Sequence, residues 1–299
     1  MKKIIALLMA CVLIVLPLSA CAEDTSTEVT DARGKVIKFD KVPEKIICLS
    51  PADVEVLYEL GLGSKIIGVS EFSNYPADTA NKTVYGTADN TSIEALIDAA
   101  PDVIIIDKMA QTPEQVDQLD ASGIPVIVVE SATIEQCYTK MAMLGNAFGK
   151  QDAAKKMIDG IKAAIDEIKL KVSSHGETKV YYEISPLEMG LWTCGKGTFQ
   201  DEILTTCGFV NIFADTSTWA AVSEEQVIDR NPDVIFSTCG SYSSPDGTAL
   251  TEISARANWG TIEAVKSGKV IDVNEDIMSR AGPRLGEAAK ALYDAVYGG

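Results

Sequence analysis

A thirteen-residue pattern that occurs twice restricts this chain more than any other feature. Ser92-Ile93-Glu94-Ala95-Leu96-Ile97-Asp98-Ala99-Ala100-Pro101-Asp102-Val103-Ile104 is matched by Ser223-Glu224-Glu225-Gln226-Val227-Ile228-Asp229-Arg230-Asn231-Pro232-Asp233-Val234-Ile235 at a fixed offset of 131 residues. Each copy spells the same local structure. A Ser caps the free N–H groups of a helix, and a carboxylate sits in the first turn, where the helix dipole favours it. The helix stops ahead of Pro-Asp, and a buried strand follows. A unit that returns after such an interval predicts two lobes of similar build rather than one enlarged core.

The flanking sequence supports this. Apolar runs at 46–49, 66–69, 103–106 and 126–129 alternate with helix-like stretches at 52–60, 93–99 and 113–122. That is the order of a βα-layered lobe with a largely parallel sheet. The pattern restarts later, with strands expected at 179–184, 234–237 and 270–273 and helices near 199–206, 223–229 and 285–296. Between the halves, 134–148 has helical periodicity, Gly149 breaks it, and 152–174 resumes with Met157, Ile161, Ala164, Ile165 and Ile168 on one face. A helix of about 20 residues spans about 30 Å, long enough to act as a rigid bridge. The expected organisation is a leader at 1–20, an anchor and tether at 21–43, an N-terminal lobe at 44–133, a helical region at 134–175 and a C-terminal lobe at 176–299.

The leader is read from Lys2 and Lys3, the apolar run 4–18 and the small residues before Cys21, the pattern of a secretory signal. The run is too short to span a membrane as a helix, which takes about 20 apolar residues. Leu18-Ser19-Ala20-Cys21 resembles the bacterial lipoprotein signal, which implies lipidation of Cys21 and anchoring by acyl chains. Glu23 to Val29, rich in Thr, Ser and acid, reads as a flexible tether. Loss of residues 1–20 removes two lysines and no acid, moving the formal charge from −17 to −19. That balance argues against nucleic acid and against a polybasic membrane contact.

Catalytic and metal-binding constellations are sparse. The one histidine, His175, lies in a Ser-Ser-His-Gly segment and reads as a solvated residue; one imidazole cannot build a zinc or manganese site of the kind that uses several. No Cys spacing suits zinc. Cys48 and Cys137 read as small core residues, and a Cys194–Cys207 bridge is one available pairing. Residues 190–197 approach a phosphate-binding loop but end in Gly197, where a hydroxyl is needed to reach magnesium. No nucleophile elbow or dinucleotide fingerprint occurs, so an enzyme is not expected.

Several motifs together resemble the helical-backbone class of ABC-importer solute-binding proteins, which includes vitamin B12- and ferric-siderophore-binding proteins. They are Leu49-Ser50-Pro51, Gly68-Val69-Ser70-Glu71-Phe72-Ser73-Asn74-Tyr75-Pro76, the two repeated segments, Gly195-Lys196-Gly197-Thr198-Phe199-Gln200, Asn211-Ile212-Phe213 and Ser279-Arg280-Ala281-Gly282-Pro283-Arg284. The similarity covers about residues 44–297. It implies two Rossmann-like α/β lobes joined by a long bridging helix, with a ligand cleft between them and limited hinge motion. It also implies a monomer with no cofactor of its own, delivering a metal chelate to a permease dimer with ATPase subunits through one glutamate per lobe. Glu94 and Glu225 fall on those docking positions. A surface-anchored sensor or scavenger with the same cleft is the alternative.

In α/β lobes ligands sit outside the carboxyl ends of the strands. That places Ser50, Pro51, Tyr75, Lys108 and Met109 on the N-terminal wall, and Trp192, Trp219, Tyr242 and Arg280 on the C-terminal wall. Aromatic faces suit a broad chelate, and Lys108 and Arg280 are the cations expected to offset negative charge on it. Trp192 and Trp219 coincide with aromatic ligand walls of B12-binding relatives. Two further aromatic positions of those relatives are Ala88 and Asp107 here.

Overall fold

The computed structural model describes residues 26–86, 91–172, 175–239 and 247–298. The N-terminal lobe is built on a five-stranded sheet in the order β5-β4-β3-β6-β7, every pair parallel. Its strands are β3 (Ile46–Cys48), β4 (Ile66–Val69), β5 (Thr83–Val84), β6 (Val103–Asp107) and β7 (Val126–Val129), connected through α1 (Pro51–Glu59), α2 (Ile93–Asp98) and α3 (Pro113–Ala121). Val103 to Ile106 and Val126 to Val129 are buried throughout, as a parallel sheet covered on both faces requires. The C-terminal lobe repeats the plan with a parallel sheet in the order β10-β8-β12-β13. Here β8 is Thr178–Glu183, β10 Phe209–Asn211, β12 Val234–Ser237 and β13 Val270–Asp272. A two-stranded antiparallel ribbon of β9 (Trp192–Cys194) and β11 (Trp219–Ala221) lies beside it. The helices are α6 (Phe199–Thr206), α7 (Glu224–Arg230), α8 (Ala249–Ala255), α9 (Glu263–Lys266), α10 (Glu275–Ser279) and α11 (Leu285–Tyr297).

The repeat is structural in detail. Ser92 Oγ accepts from the Ala95 N–H and Ser223 Oγ from the Gln226 N–H, each at 3.3 Å. Ala100 and Asn231, at equivalent places, both take the left-handed backbone, with φ of 46° and 44°, which lets the chain turn from helix end to strand. Asp102 then accepts the backbone N–H groups of Glu44 and Lys45 at 2.8 and 2.9 Å, just ahead of β3. Asp233 accepts that of Lys179 in β8 at 2.9 Å. In each lobe the Pro-Asp carboxylate thus locks the strand it opens to the lobe's first strand.

The chain crosses between lobes through α4 (Ile134–Ala147) and the 22-residue α5 (Gln151–Val172), about 33 Å long at 1.5 Å per residue. Thr133 and Gln136 close a reciprocal cap at the start of α4. Ile158, Ile161, Ile165 and Ile168 form the buried stripe of α5, each worth about 1.5–3 kcal/mol of burial. Gly286 lets α11 approach closely, since a Cβ there would stand 2.7 Å from that of Ala164 on α5.

One expectation is corrected. The stretch read as a tether through Val29 already carries β1 (Thr27–Thr30), which pairs antiparallel with β2 (Val36–Phe39). Val29, Ile37 and Phe39 are buried in the core, and that burial outweighs the polar composition around them. The pairing of Cys194 with Cys207 left open by the sequence is not made: both side chains are buried without a disulfide, as are those of Cys48, Cys137 and Cys239. Cys207 instead donates to the Ala289 carbonyl at 3.1 Å.

Candidate ligand-binding cleft

A cleft of about 670 Å³ opens between the lobes, within the size of small-molecule sites. Its walls follow from topology. Ser50 and Pro51 come directly after β3, Glu71, Phe72 and Asn74 after β4, Met109 after β6 and Ser131 after β7; Ile184 follows β8 and Glu275 follows β13. The carboxyl ends of both sheets therefore meet over one cavity, as expected of α/β lobes. Phe72 and Met109 are 63% and 73% exposed, and with Trp219 they form an apolar wall awaiting a partner surface.

Both flanks of the cleft are tied between lobes. On one side the Phe199 N–H, at the start of α6, donates to the Ala132 carbonyl at 2.6 Å, and Glu202 accepts the Ile134 N–H at 2.6 Å. On the other, buried Glu55 of α1 receives Arg280 at 2.9 Å and Arg284 through two bonds at 2.8 and 2.6 Å. Arg280 also meets Asp276 at 2.6 Å and the Phe72 carbonyl at 2.9 Å, and Asn74 donates to Asp276 at 2.9 Å.

Beneath the floor, Lys140 of α4 is buried with Asp53 of α1, Nζ to Oδ1 2.9 Å. Lys140 also donates to Ser131 Oγ and to the Ala281 carbonyl, each at 3.0 Å. Neither Asp53 oxygen has a hydrogen bond of good geometry, so the pair is held by charge rather than by directed bonds. Burial opposes the charge of Lys140, but Asp53 and its neighbours overcome this and hold the pKa above its ordinary value. Asp107, at the end of β6 on the cleft wall, has its pKa raised by burial, with the Asp53 charge adding to it.

Of the expected site residues, Ser50, Pro51, Met109, Trp219 and Arg280 line the cleft. The guanidinium of Arg280 is already shared between Glu55 and Asp276. Tyr75 faces a different hollow of about 640 Å³ beside α5 and α11, where Arg284 stacks over its ring at 4.4 Å. Lys108 turns to Glu130 at 3.0 Å. Trp192, 44% exposed on β9, is not among the cleft residues. Tyr242, Ala88 and Cys21 lie outside the described residues. Glu94 and Glu225 are exposed in the first turns of α2 and α7, away from the cleft. Asp107, noted as a departure from the B12-binding pattern, is itself a cleft residue. Sequence reasoning did not assign Gln200, Glu71, Asp276 or Ser131 to the site, although Gln200 and Glu71 stand inside the motifs that carried the resemblance. His175 is exposed and stacks on Tyr297 at 4.0 Å. Among the described residues no three His, Cys, Asp or Glu side chains gather closely enough to hold a metal ion.

Two α/β lobes crossed by a long helix bring the carboxyl ends of both sheets over one shared cleft, the build of a two-lobed binding protein. The chain belongs to the periplasmic binding protein family, whose pattern matches residues 46–277. The uncharacterized ABC transporter substrate-binding lipoprotein YvrC of Bacillus subtilis is 31% identical over 275 residues, 90% of this chain and 85% of that protein. The vitamin B12-binding protein of Salmonella paratyphi A is 29% identical over 255 residues, covering 84% and 90%. A possible iron-binding, periplasmic solute-binding protein from Staphylococcus epidermidis superposes with a TM-score of 0.74 at 33% identity, covering 86% of this chain and all of that one.

Proposed function

We propose that the protein is a lipid-anchored, extracytoplasmic component of an ABC importer that binds a metal chelate, a ferric siderophore or a corrinoid, in the interlobe cleft and delivers it to the permease. The observation that carries this reading is the 670 Å³ cavity with exposed Phe72 and Met109 and half-buried Trp219 on its walls, a surface suited to a broad ligand with an apolar periphery. The family membership and the lipoprotein relative support the importer role and the anchor. Arg280 acts as a lobe-to-lobe clamp that lines the cavity, and Trp219 supplies the aromatic contact. The test is mass spectrometry of ligand co-purified from the native host, followed by fluorescence titration of the purified protein. Recovery of a chelate that quenches tryptophan emission on rebinding supports the reading. Recovery of a sugar, an amino acid or a bare metal ion overturns it.

A further inference from the structure

The repeat departs from itself where an apolar side chain is replaced by a charged one. Ile93 opens α2 in the N-terminal lobe, and Glu224 opens α7 in the C-terminal lobe. Glu224 is half-buried while its neighbour Glu225 is exposed. The Glu224 carboxylate turns inward, where Oε2 accepts the indole N–H of Trp259 at 2.6 Å. Trp259 is fully buried, so this N–H has no water to turn to, and a carboxylate is a stronger acceptor for it than a neutral group. In their first turns the two helices therefore show one exposed carboxylate each, Glu94 and Glu225, although α7 carries two.

What fixes Trp259 reaches back to the cleft. The Arg256 guanidinium stacks over its ring, 4.5 Å from the centroid. Arg256 is itself buried and grips Glu183 with both terminal nitrogens, at 2.7 and 2.9 Å, while its Nε donates to Glu252 of α8 at 2.8 Å. A bidentate guanidinium holds a fixed orientation. Glu183 ends β8, and the next residue, Ile184, lines the cleft. The other end of α7 is tied to the same stretch of chain: Asn231 Oδ1 accepts the Glu263 N–H at 2.8 Å, and the Pro232 carbonyl accepts that of Ala264 at 3.0 Å. Both ends of α7 are thus held by residues 256–264, and its first turn is joined through Trp259 and Arg256 to the cleft end of β8. Ile93 can make no such bond, its side chain being apolar and packed against the core of its own lobe.

We propose that Trp259 is a positioning residue for docking: its bond to Glu224 draws one carboxylate of α7 inward and fixes the first turn, so that Glu225 is presented to the permease at a set place relative to the cleft. The inference rests on the importer reading above, with Glu225 as a docking contact, and adds the residue that aims it. Successive residues of a helix point about 100° apart, so a Glu224 released from Trp259 would offer the partner a second carboxylate on a loosened turn. A charge contact between two rigid surfaces keeps its strength only while supporting bonds hold it within about 0.5 Å of the matching geometry.

The experiment measures binding of the full processed chain to the importer's permease–ATPase complex in vesicles, and the ATPase rate it elicits, well below the unfolding midpoint of each variant. Trp259→Phe keeps an aromatic ring and removes the donor; it and Glu224→Ala should each weaken binding about threefold to tenfold. Glu224→Gln should bind like wild type, because its amide oxygen still accepts the indole N–H. Glu225→Ala should weaken binding about tenfold or more, and adding Trp259→Phe to it should change nothing further, since the contact being aimed is gone. A purely structural Trp259 would lower the unfolding midpoint of Trp259→Phe and leave transporter binding at the wild-type level; that result, beside a loss in Glu225→Ala, overturns the positioning role and leaves docking standing. Independent, additive losses in the double variant overturn it as well. A loss in Glu224→Gln equal to that in Glu224→Ala would make Glu224 a docking charge in its own right, against the proposal. Wild-type binding by Glu225→Ala overturns the docking contact and the positioning role together. Should Trp259→Phe fail to fold, the comparison of Glu224→Gln with Glu224→Ala decides.

Discussion

Replacing Lys140 with methionine tests whether the buried pair under the cleft holds the lobes in register. The Lys140 side chain is 2% exposed and that of Asp53 fully buried, with Nζ and Oδ1 2.9 Å apart. Methionine fills much of the same space, so the loss is chiefly electrostatic: Asp53 keeps a charge with no cation, and Ser131 and Ala281 lose their donor. Stranding one member of such a pair costs about 3–5 kcal/mol, a large share of the about 5–15 kcal/mol that keeps a domain folded. Over a chain of this size the midpoint of thermal unfolding should fall by about 6–20 °C. Because the folded-state pKa of Lys140 is raised, the pair's contribution is complete below the ordinary lysine pKa and is lost only as pH rises through the folded value, so it is flat across neutral pH. Asp53→Asn/Lys140→Met should recover about 1–3 kcal/mol relative to the sum of the single changes. Urea unfolding followed by tryptophan emission measures all three variants. A loss below about 1 kcal/mol in Lys140→Met, or a cycle with no coupling, would refute the argument.

Other outcomes follow from separate parts of the chain. Cys21→Ser should release the protein from the membrane fraction or leave it unprocessed, as read by fractionation and mass; a processed, membrane-bound variant would remove the anchor. Trp219→Ala should weaken chelate binding about tenfold through lost contact area and abolish most ligand-dependent quenching. Ala100→Gly should stabilise the protein by about 0.5–1 kcal/mol, because the left-handed backbone costs an L-residue about 1–2 kcal/mol and the added freedom of the unfolded chain returns part of that; no gain in urea midpoint would count against the strain at φ 46°.

Much of the architecture was legible because it is local. The strands at 103–107 and 126–129 and the helix at 151–172 each carry a period that survives without knowledge of partners. The hairpin at 27–39 was missed because its apolar positions, Val29, Ile37 and Phe39, are few and spaced among polar residues. The cleft was legible as far as topology reaches: the carboxyl ends of the strands put Ser50, Pro51, Met109 and Trp219 in place. Side-chain direction was not. Tyr75 and Lys108 adjoin the cleft residues Asn74 and Met109 in sequence, yet pair with Arg284 and Glu130 instead. The employment of Arg280 depends on Glu55, 225 residues earlier, a distance no local pattern spans.

The repeat separates residues the fold needs from those it does not. Ser92 and Ser223 cap their helices, Asp102 and Asp233 lock the strands, and Ala100 and Asn231 make the turn. Glu94 is exposed and, among the described residues, makes no ion pair or side-chain hydrogen bond that would explain its return at Glu225. The Glu225 pKa is lowered by its own N–H and by Ser223, a helix-start effect at full exposure. A helix-start role predicts a small loss of stability in Glu94→Ala/Glu225→Ala and unchanged uptake. The docking role we favour predicts normal folding and chelate affinity in that variant, with reduced uptake and reduced stimulation of the transporter's ATPase. Lys at both positions should be worse than Ala, because like charges would then face each other across the interface. Assaying uptake in cells and ATPase rate in reconstituted vesicles distinguishes the two roles. Full uptake by the doubly reversed variant would reduce both glutamates to helix-start carboxylates and leave the two-fold match between lobes and permease without support.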